Sequence, residues 1–337
     1  MKKLWFFLTF FPLLVLAAVP GRFMQYPDIN GDKIVFTYEE DLWVVNRQGG
    51  LATRLTTHPG NEFCGKFSPD GKQIAFSGNY DGSGNVYVMP GDGGVPRRLT
   101  WQPGDSRVVT WMPDGKKVVY RSGVENTFRP IVKLFAVPVD GSMPEKLPVP
   151  RGVLASFSPD GRKMVYAPRG NEEYYWKRYK GGQYQDIWLY DFSAASFTKV
   201  TDYVGKNSYP MWVEERMYFV SDRGEDGIAN IYVYDFKTRQ TTQVTRHADY
   251  DVQMASSDGR QIVYMNSGYL YVLDCKTNSS RKVDVSIPTD RWKMADRTVN
   301  PKEYIQTMAV DQSGKIAVFE ARGDGFLVPQ DDKRSEA

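Results

Sequence analysis

Short apolar runs rich in aromatic and β-branched residues recur along this 337-residue chain, and turn-forming tetrapeptides break them up. That composition, bounded by turns, predicts strands. The turns recur as Ser68-Pro69-Asp70-Gly71, Met112-Pro113-Asp114-Gly115, Ser158-Pro159-Asp160-Gly161, Ser256-Ser257-Asp258-Gly259 and Asp311-Gln312-Ser313-Gly314, with a degraded copy at Val213-Glu214-Glu215-Arg216. The first three are spaced 44 and 46 residues apart. Asp-Gly supplies the positive φ of a tight hairpin, and the runs behind it, such as Lys72-Gln73-Ile74-Ala75-Phe76 and Lys117-Val118-Val119-Tyr120, are rich in strand formers.

Two further segments travel with each turn. One is an aromatic-centred strand: Asp41-Leu42-Trp43-Val44-Val45, Asn85-Val86-Tyr87-Val88-Met89, Lys133-Leu134-Phe135-Ala136-Val137, Asp186-Ile187-Trp188-Leu189-Tyr190, Asn230-Ile231-Tyr232-Val233-Tyr234 and Tyr269-Leu270-Tyr271-Val272-Leu273. The other is a closing step, Leu55-Thr56, Leu99-Thr100, Val200-Thr201 and Val244-Thr245, with Leu147-Pro148 and Val283-Asp284 as variants. Four antiparallel strands in about 45 residues make a propeller blade of the WD40-like kind. One such sheet cannot bury both faces alone, whereas blades stacked round an axis bury them against each other. The predicted fold is therefore all-β, a six-bladed β-propeller over residues 23–287; a sandwich leaves the 44-residue period unexplained. The first and last blades each hold four strands of their own, so ring closure is expected to rest on side-chain packing alone.

Residues 288–303 read as a charged linker, and 304–329 repeat the unit without its closing strand, ahead of a polar tail at 330–337. A lone partial blade leaves sheet edges unpaired. This predicts the truncated start of a second propeller in a longer protein.

The first 18 residues change the picture of compartment. Lys2 and Lys3 precede an apolar run from Leu4 to Leu16, then Ala17-Ala18, the layout of a signal peptide. The run is shorter than the roughly 20 residues a membrane span needs. Export to the periplasm or the medium is expected, with no membrane association after cleavage. Removing the two lysines leaves 41 basic against 40 acidic residues, so the formal +3 of the whole chain falls almost to neutrality. The electrostatic footprint of a nucleic-acid binder is missing. Cys64 and Cys275 allow one disulfide, but two small buried thiols are the simpler reading.

No catalytic residue is assigned. There is no Gly-x-Ser-x-Gly elbow, the two histidines, His58 and His247, occupy matching turn positions, and no cysteine or acidic cluster predicts a metal or another cofactor. The glycine-rich stretch Gly78–Asn85 joins two strands and opens no helix, which makes it a hairpin loop and not a phosphate cradle. The one unusual surface feature is an insertion between Ala167 and Ile187 that sets Tyr174, Tyr175, Trp176, Tyr179 and Tyr184 among Lys177, Arg178 and Lys180. Aromatics among cations suit a peptide and its carboxylate; an extended hairpin that seals neighbouring blades fits the same composition.

Three stretches carry a resemblance: Tyr26-Pro27-Asp28-Ile29-Asn30-Gly31-Asp32-Lys33-Ile34-Val35-Phe36 followed by Asp41-Leu42-Trp43; Trp176-Lys177-Arg178-Tyr179-Lys180-Gly181-Gly182 followed by Ile187-Trp188; and Gly314-Lys315-Ile316-Ala317-Val318-Phe319-Glu320-Ala321-Arg322-Gly323-Asp324. The chain resembles the N-terminal region of tricorn protease homologues. The resemblance implies the non-catalytic propeller of a serine peptidase that degrades oligopeptides, acting as channel and scaffold, with catalytic domains beyond Ala337. It implies as partners peptides, later domains of the same polypeptide and, at full length, a homo-oligomer. It also implies that a basic pair reached from the first propeller holds the peptide carboxylate; the corresponding loop here, Gln102 to Val108, is shorter and offers Arg107. Arg107, Trp176, Lys177, Arg178, Tyr179 and Lys180 are thus the candidate substrate-binding residues. A stand-alone periplasmic interaction propeller of the Tol type, or the propeller cap of a prolyl-oligopeptidase-like enzyme, are the alternatives.

Overall fold

The structure is a computed structural model that describes residues 18–125, 131–170, 176–289, 296 and 298–330. The leader from Met1 to Ala17, and Tyr174 and Tyr175 of the insertion, lie outside the described residues. The chain divides into two units, Met1–Asp290 and Arg291–Ala337.

The first unit contains six four-stranded antiparallel sheets. Their innermost strands are Gln25–Asn30, Glu62–Phe67, Ser106–Trp111, Leu154–Phe157, Asn207–Val213 and Val252–Ser257. Each innermost strand touches the next, and the sixth returns to the first, so the blades close a ring. The aromatic-centred runs form the third strand of every blade, as in Asp41–Asn46, Asn85–Pro90 and Asn230–Asp235. The Asp-Gly turns take the left-handed backbone expected of them, with φ of 71° at Gly71 and 70° at Gly161. The serine of the tetrapeptide helps: Ser68 Oγ donates to Asp70 Oδ1 at 2.7 Å and accepts the Gln73 amide at 3.0 Å, which ties the hairpin base together.

The core sits between blades. Six apolar clusters each straddle one pair of neighbouring blades; Val35 and Leu42 of the first blade, for example, pack on Phe67, Ile74 and Phe76 of the second. The Leu-Thr and Val-Thr steps have a polar purpose. The hydroxyls of Thr56, Thr100, Thr201 and Thr245 each accept the buried amide of the second or equivalent residue of the aromatic strand, at Leu42, Val86, Ile187 and Ile231, within 2.8–2.9 Å. Three of them donate in turn to the side chain just before that amide, Asn85, Asp186 or Asn230. The short fourth strand is thereby clasped where the regular ladder ends.

Closure by side-chain packing alone is incorrect. Val285–Ile287, running on past the sixth blade, pairs antiparallel with Val19–Pro20 and parallel with Gly50–Leu51 of the first blade in a three-stranded sheet. The blades are complete without a shared strand, but their backbones still reach across the seam: the Gly50 amide donates to Asp284 O at 2.9 Å and the Ala52 amide to Ser286 O at 2.8 Å. Gly49 sits so close to Asp284 O that a Cβ there would lie 2.4 Å away.

The second unit holds a three-stranded antiparallel sheet, Ile305–Val310, Ile316–Ala321 and Asp324–Pro329, whose first hairpin turns at Gly314 with φ 69°. Met308 and Leu327 on it are exposed.

Candidate functional site

Along the axis of the first unit the six innermost strands enclose a cavity of about 580 Å³. Its wall is shaped by β-bulges. Pairing with the second strand breaks register between Gln25 and Asp28, Phe63 and Lys66, Val108 and Thr110, Ser208 and Met211, and Gln253 and Ser256. A bulge sets two residues against one and re-aims their side chains. In four of the five it forces a non-glycine residue into the left-handed region: Tyr26 at φ 47°, Cys64 at 55°, Tyr209 at 50° and Met254 at 52°. All four line the cavity.

Below the bulges, three neighbouring blades meet in one polar cluster. Lys66 Nζ donates to Ser256 Oγ at 2.7 Å and lies 3.3 Å from Asp28 Oδ1; Ser256 donates to the same carboxylate, and the Phe67 amide donates to Asp28 Oδ2 at 2.8 Å. Burial pushes the Asp28 carboxyl upward, while the Lys66 ammonium and the two hydrogen-bond donors counter it by serving the ionised form. The cluster joins blades six, one and two at the closing seam.

Glu62, which starts the innermost strand of blade 2, is fully buried. It accepts the Thr56 hydroxyl at 2.9 Å. Burial pushes its carboxyl up to about 7, with the Asp41 carboxylate adding to the rise and hydrogen bonds from Tyr80 and Thr56 opposing it. Arg54 is paired with Asp41.

Of the residues singled out from sequence, Arg107, Trp176 and Lys177 come together on the cavity wall. Arg107 lies over the Phe63 ring, 5.4 Å from its centroid. Lys177 Nζ is 3.7 Å from Asp251 Oδ2, and both groups face the cavity. Arg178 turns away: its Nη2 donates to Asp226 O in blade 5 at 2.8 Å, and its stem covers Gly227. Tyr179 packs under Trp176 with ring centroids 4.9 Å apart, and its hydroxyl accepts the Gln183 amide. Neither it nor Lys180 lines the cavity. The insertion thus lines the axis with Trp176 and Lys177 and bridges to blade 5 through Arg178.

Sequence reading missed Lys66, Arg121, Lys206 and Asp251, all of which line the cavity. They come from four blades, and only their place on or beside the innermost strands marks them. His58 and His247 are turn residues, as expected. His58 packs on Tyr80 at 3.9 Å and accepts the Gly60 amide; His247 Nε2 lies 2.9 Å from the Tyr264 hydroxyl, and burial lowers its pKa. Cys64 and Cys275 are not joined by a disulfide. Cys275 is buried, which pushes its thiol up to about 12, whereas Cys64 is half-buried on its bulge. Among the described residues no group of three or more His, Cys, Asp or Glu is placed to hold a metal ion.

Residues 21–279 match the family described as the tricorn protease N-terminal beta propeller domain. The tricorn protease homolog of Saccharolobus solfataricus is 33% identical over 310 residues, covering 91% of this chain and 28% of that protein. The tricorn protease of Thermoplasma acidophilum is 27% identical over 311 residues, covering 89% and 28%. The chain thus spans little more than a quarter of the length of these relatives. The crystal structure of the tricorn protease superposes with a TM-score of 0.73 at 25% identity, over 92% of this chain and 30% of that one. A puromycin hydrolase, at 16% identity and a TM-score of 0.53 over 90% of this chain and 59% of its own, shares the fold.

Proposed function

The chain belongs to the tricorn protease family through its N-terminal propeller, and on that premise we propose that it is the non-catalytic propeller of an exported serine peptidase that degrades oligopeptides, serving as channel and scaffold. The observation that carries the channel reading is the axial cavity, with Arg107, Trp176 and Lys177 brought to its wall from two blades. Cations beside an exposed aromatic ring offer a peptide charge-assisted hydrogen bonds and a stacking surface. On this reading the chemistry resides in later domains of the same polypeptide, assembled as a homo-oligomer. The sheet of the second unit, with its exposed Met308 and Leu327, fits the start of a second propeller in that longer protein. The signal-peptide layout of the first 18 residues supports periplasmic or secreted placement.

Calorimetric titration of the purified chain with a mixed set of oligopeptides tests the channel reading. Binding that weakens about tenfold in a Trp176→Ala, Arg107→Gln double variant of unchanged melting temperature is expected, equivalent to about 1.4 kcal/mol. Absence of any peptide binding would overturn it. Detection of the tagged protein in the periplasmic fraction tests export, and retention in the cytoplasm would count against it.

A further inference from the structure

Blade 5 carries a guanidinium where blade 2 carries a phenol. Arg223 lies two positions past the second strand of blade 5, and Tyr80 two positions past that of blade 2. Each sits among three rings. Tyr80 has His58, Phe76 and Tyr87 around it, with centroids 3.9, 6.4 and 4.6 Å away. Arg223 stands over Tyr203, Phe219 and Tyr232, at 5.3, 4.9 and 5.4 Å. The two cages match element for element, with Phe76 and Phe219 on second strands and Tyr87 and Tyr232 on third strands.

What the caged group reaches differs between the blades. The innermost strand of blade 2 starts with Glu62, paired with Gly78, and Tyr80 serves that buried carboxyl with a hydrogen bond. Blade 5 has Asn207 at the same register, paired with Ser221. Arg223 Nη2 donates to Asn207 Oδ1 at 3.0 Å and Nε to Ser221 Oγ at 3.1 Å, both of them neutral acceptors. The fold thus has a position for an acid beneath this group, and the blade that carries the cation fills it with an amide.

A charge withdrawn from water is normally paired. Burial lowers the Arg223 pKa, and Asp202 and Asp222, which oppose that through space, form no ion pair with it among the described residues. Nearby acids are turned elsewhere: Asp222 Oδ1 accepts the Lys206 amide at 2.8 Å, and Asp226 Oδ1 accepts the Ile228 amide at 2.9 Å. Arg246, exposed on the loop after Thr245, brings a second cation to bear on the Tyr232 hydroxyl. Gly224 leaves room beside that hydroxyl, since a Cβ there would lie 3.2 Å from it. None of Tyr203, Arg223, Tyr232 and Arg246 lines the axial cavity.

Stacking holds the guanidinium plane in place while only part of its donor fork is used, and that geometry matches a carboxylate. We propose that Arg223, with Arg246 as the second cation, is a carboxylate-binding site on blade 5 that takes an acidic side chain of a peptide segment and is separate from the axial cavity. Phosphate would use the charges alone, whereas the methylenes of a glutamate also pack on the flanking rings. The site stands whether or not the axial cavity conducts peptides.

The test follows the side-chain Nε–Hε resonance of Arg223 in nitrogen-labelled protein, assigned by its loss in Arg223→Gln. N-acetylated, C-amidated Gly-Glu-Glu-Gly should move that resonance to saturation with an affinity about tenfold tighter than the corresponding glutamine peptide. Arg246→Gln should weaken glutamate-peptide binding about threefold. Asn207→Glu, which restores the acid that blade 2 has, should pair with Arg223 internally and abolish the response. Because Arg246 is exposed, its variant remains informative where Asn207→Glu fails to fold. A Trp176→Ala, Arg107→Gln variant should keep the full Arg223 response, and its loss there would overturn the separation from the axial cavity. An Arg223 resonance that stays still, or that moves equally with the glutamine peptide, would overturn the site while leaving the channel reading to its own titration. Inorganic phosphate binding as tightly as the glutamate peptide would replace it with a general oxyanion site.

Discussion

Replacing Glu62 with glutamine should remove a pH dependence from the stability of the propeller. In the folded protein the Glu62 carboxyl is buried between Thr56, Tyr80 and Asp41, and its pKa stands at about 7 against an ordinary 4.5. The folded state therefore holds this proton more tightly than the unfolded chain. Its stabilising effect is complete below about pH 4.5 and is lost as pH rises through 7. At about 1.4 kcal/mol per pKa unit, the ceiling on the loss is about 3 kcal/mol. At an unfolding entropy of about 2.1 cal/mol/K per residue, that is a fall of about 4–5 °C in melting temperature for a chain of this size. Glutamine mimics the protonated acid, keeping a donor and an acceptor but no charge. Thermal melts of both proteins at half-unit steps from pH 5 to 8.5 should converge at the acid end and separate above pH 7, with Glu62→Gln the more stable. His247, whose pKa burial lowers, acts in the opposite sense as pH falls and is common to both proteins, so the difference between them isolates Glu62. Parallel melting curves across the whole range would refute the argument that burial of this carboxylate governs its proton.

Thr245→Ala removes the acceptor of the buried Ile231 amide and the donor to Asn230; urea unfolding should show a loss of about 1–3 kcal/mol, and a change within error would mean water replaces the clasp. Gly49→Ala combines a positive φ with a Cβ placed 2.4 Å from Asp284 O, so destabilisation of about 2 kcal/mol or more is expected, against almost none for Gly182→Ala, where the backbone is not left-handed and nothing lies near the added atom. Asp28→Asn leaves Lys66 without its charge partner at the closing seam and should lower stability by about 3 kcal/mol, while a Lys66→Met, Asp28→Leu double change should recover part of it.

The blade strands were legible because their signals are local. An Asp-Gly turn and an aromatic-centred run each announce themselves within five residues, and both fell where expected. The Leu-Thr step was visible as a repeat, yet its purpose emerged only when Thr56, Thr100, Thr201 and Thr245 were seen to reach amides fourteen positions back. The cavity was half legible. Trp176 and Lys177 stood out because the insertion concentrates unusual residues, whereas Arg121 and Lys206 are single cations in ordinary surroundings until the ring brings them together. The closing sheet escaped for the same reason: Val19 and Ile287 carry no mark of belonging together.

The sheet that unites Val19–Pro20, Val285–Ile287 and Gly50–Leu51 also sets an order of events in folding. Blades two to five can form from contacts within about 100 residues of one another, but the pairing of Val19 with Ile287 spans most of the unit. Closing a loop of that length costs about 5 kcal/mol in chain entropy before any contact repays it. As the chain is made from its N-terminus, Ile29, Phe36 and Trp43 must wait for Leu270, Val285 and Ile287 before their cluster is complete. Until then the molecule is an open crescent with apolar surface on both ends. Aggregation and chaperone capture should concentrate on that late intermediate, and variants at the seam should slow the final folding phase while leaving the earlier ones untouched.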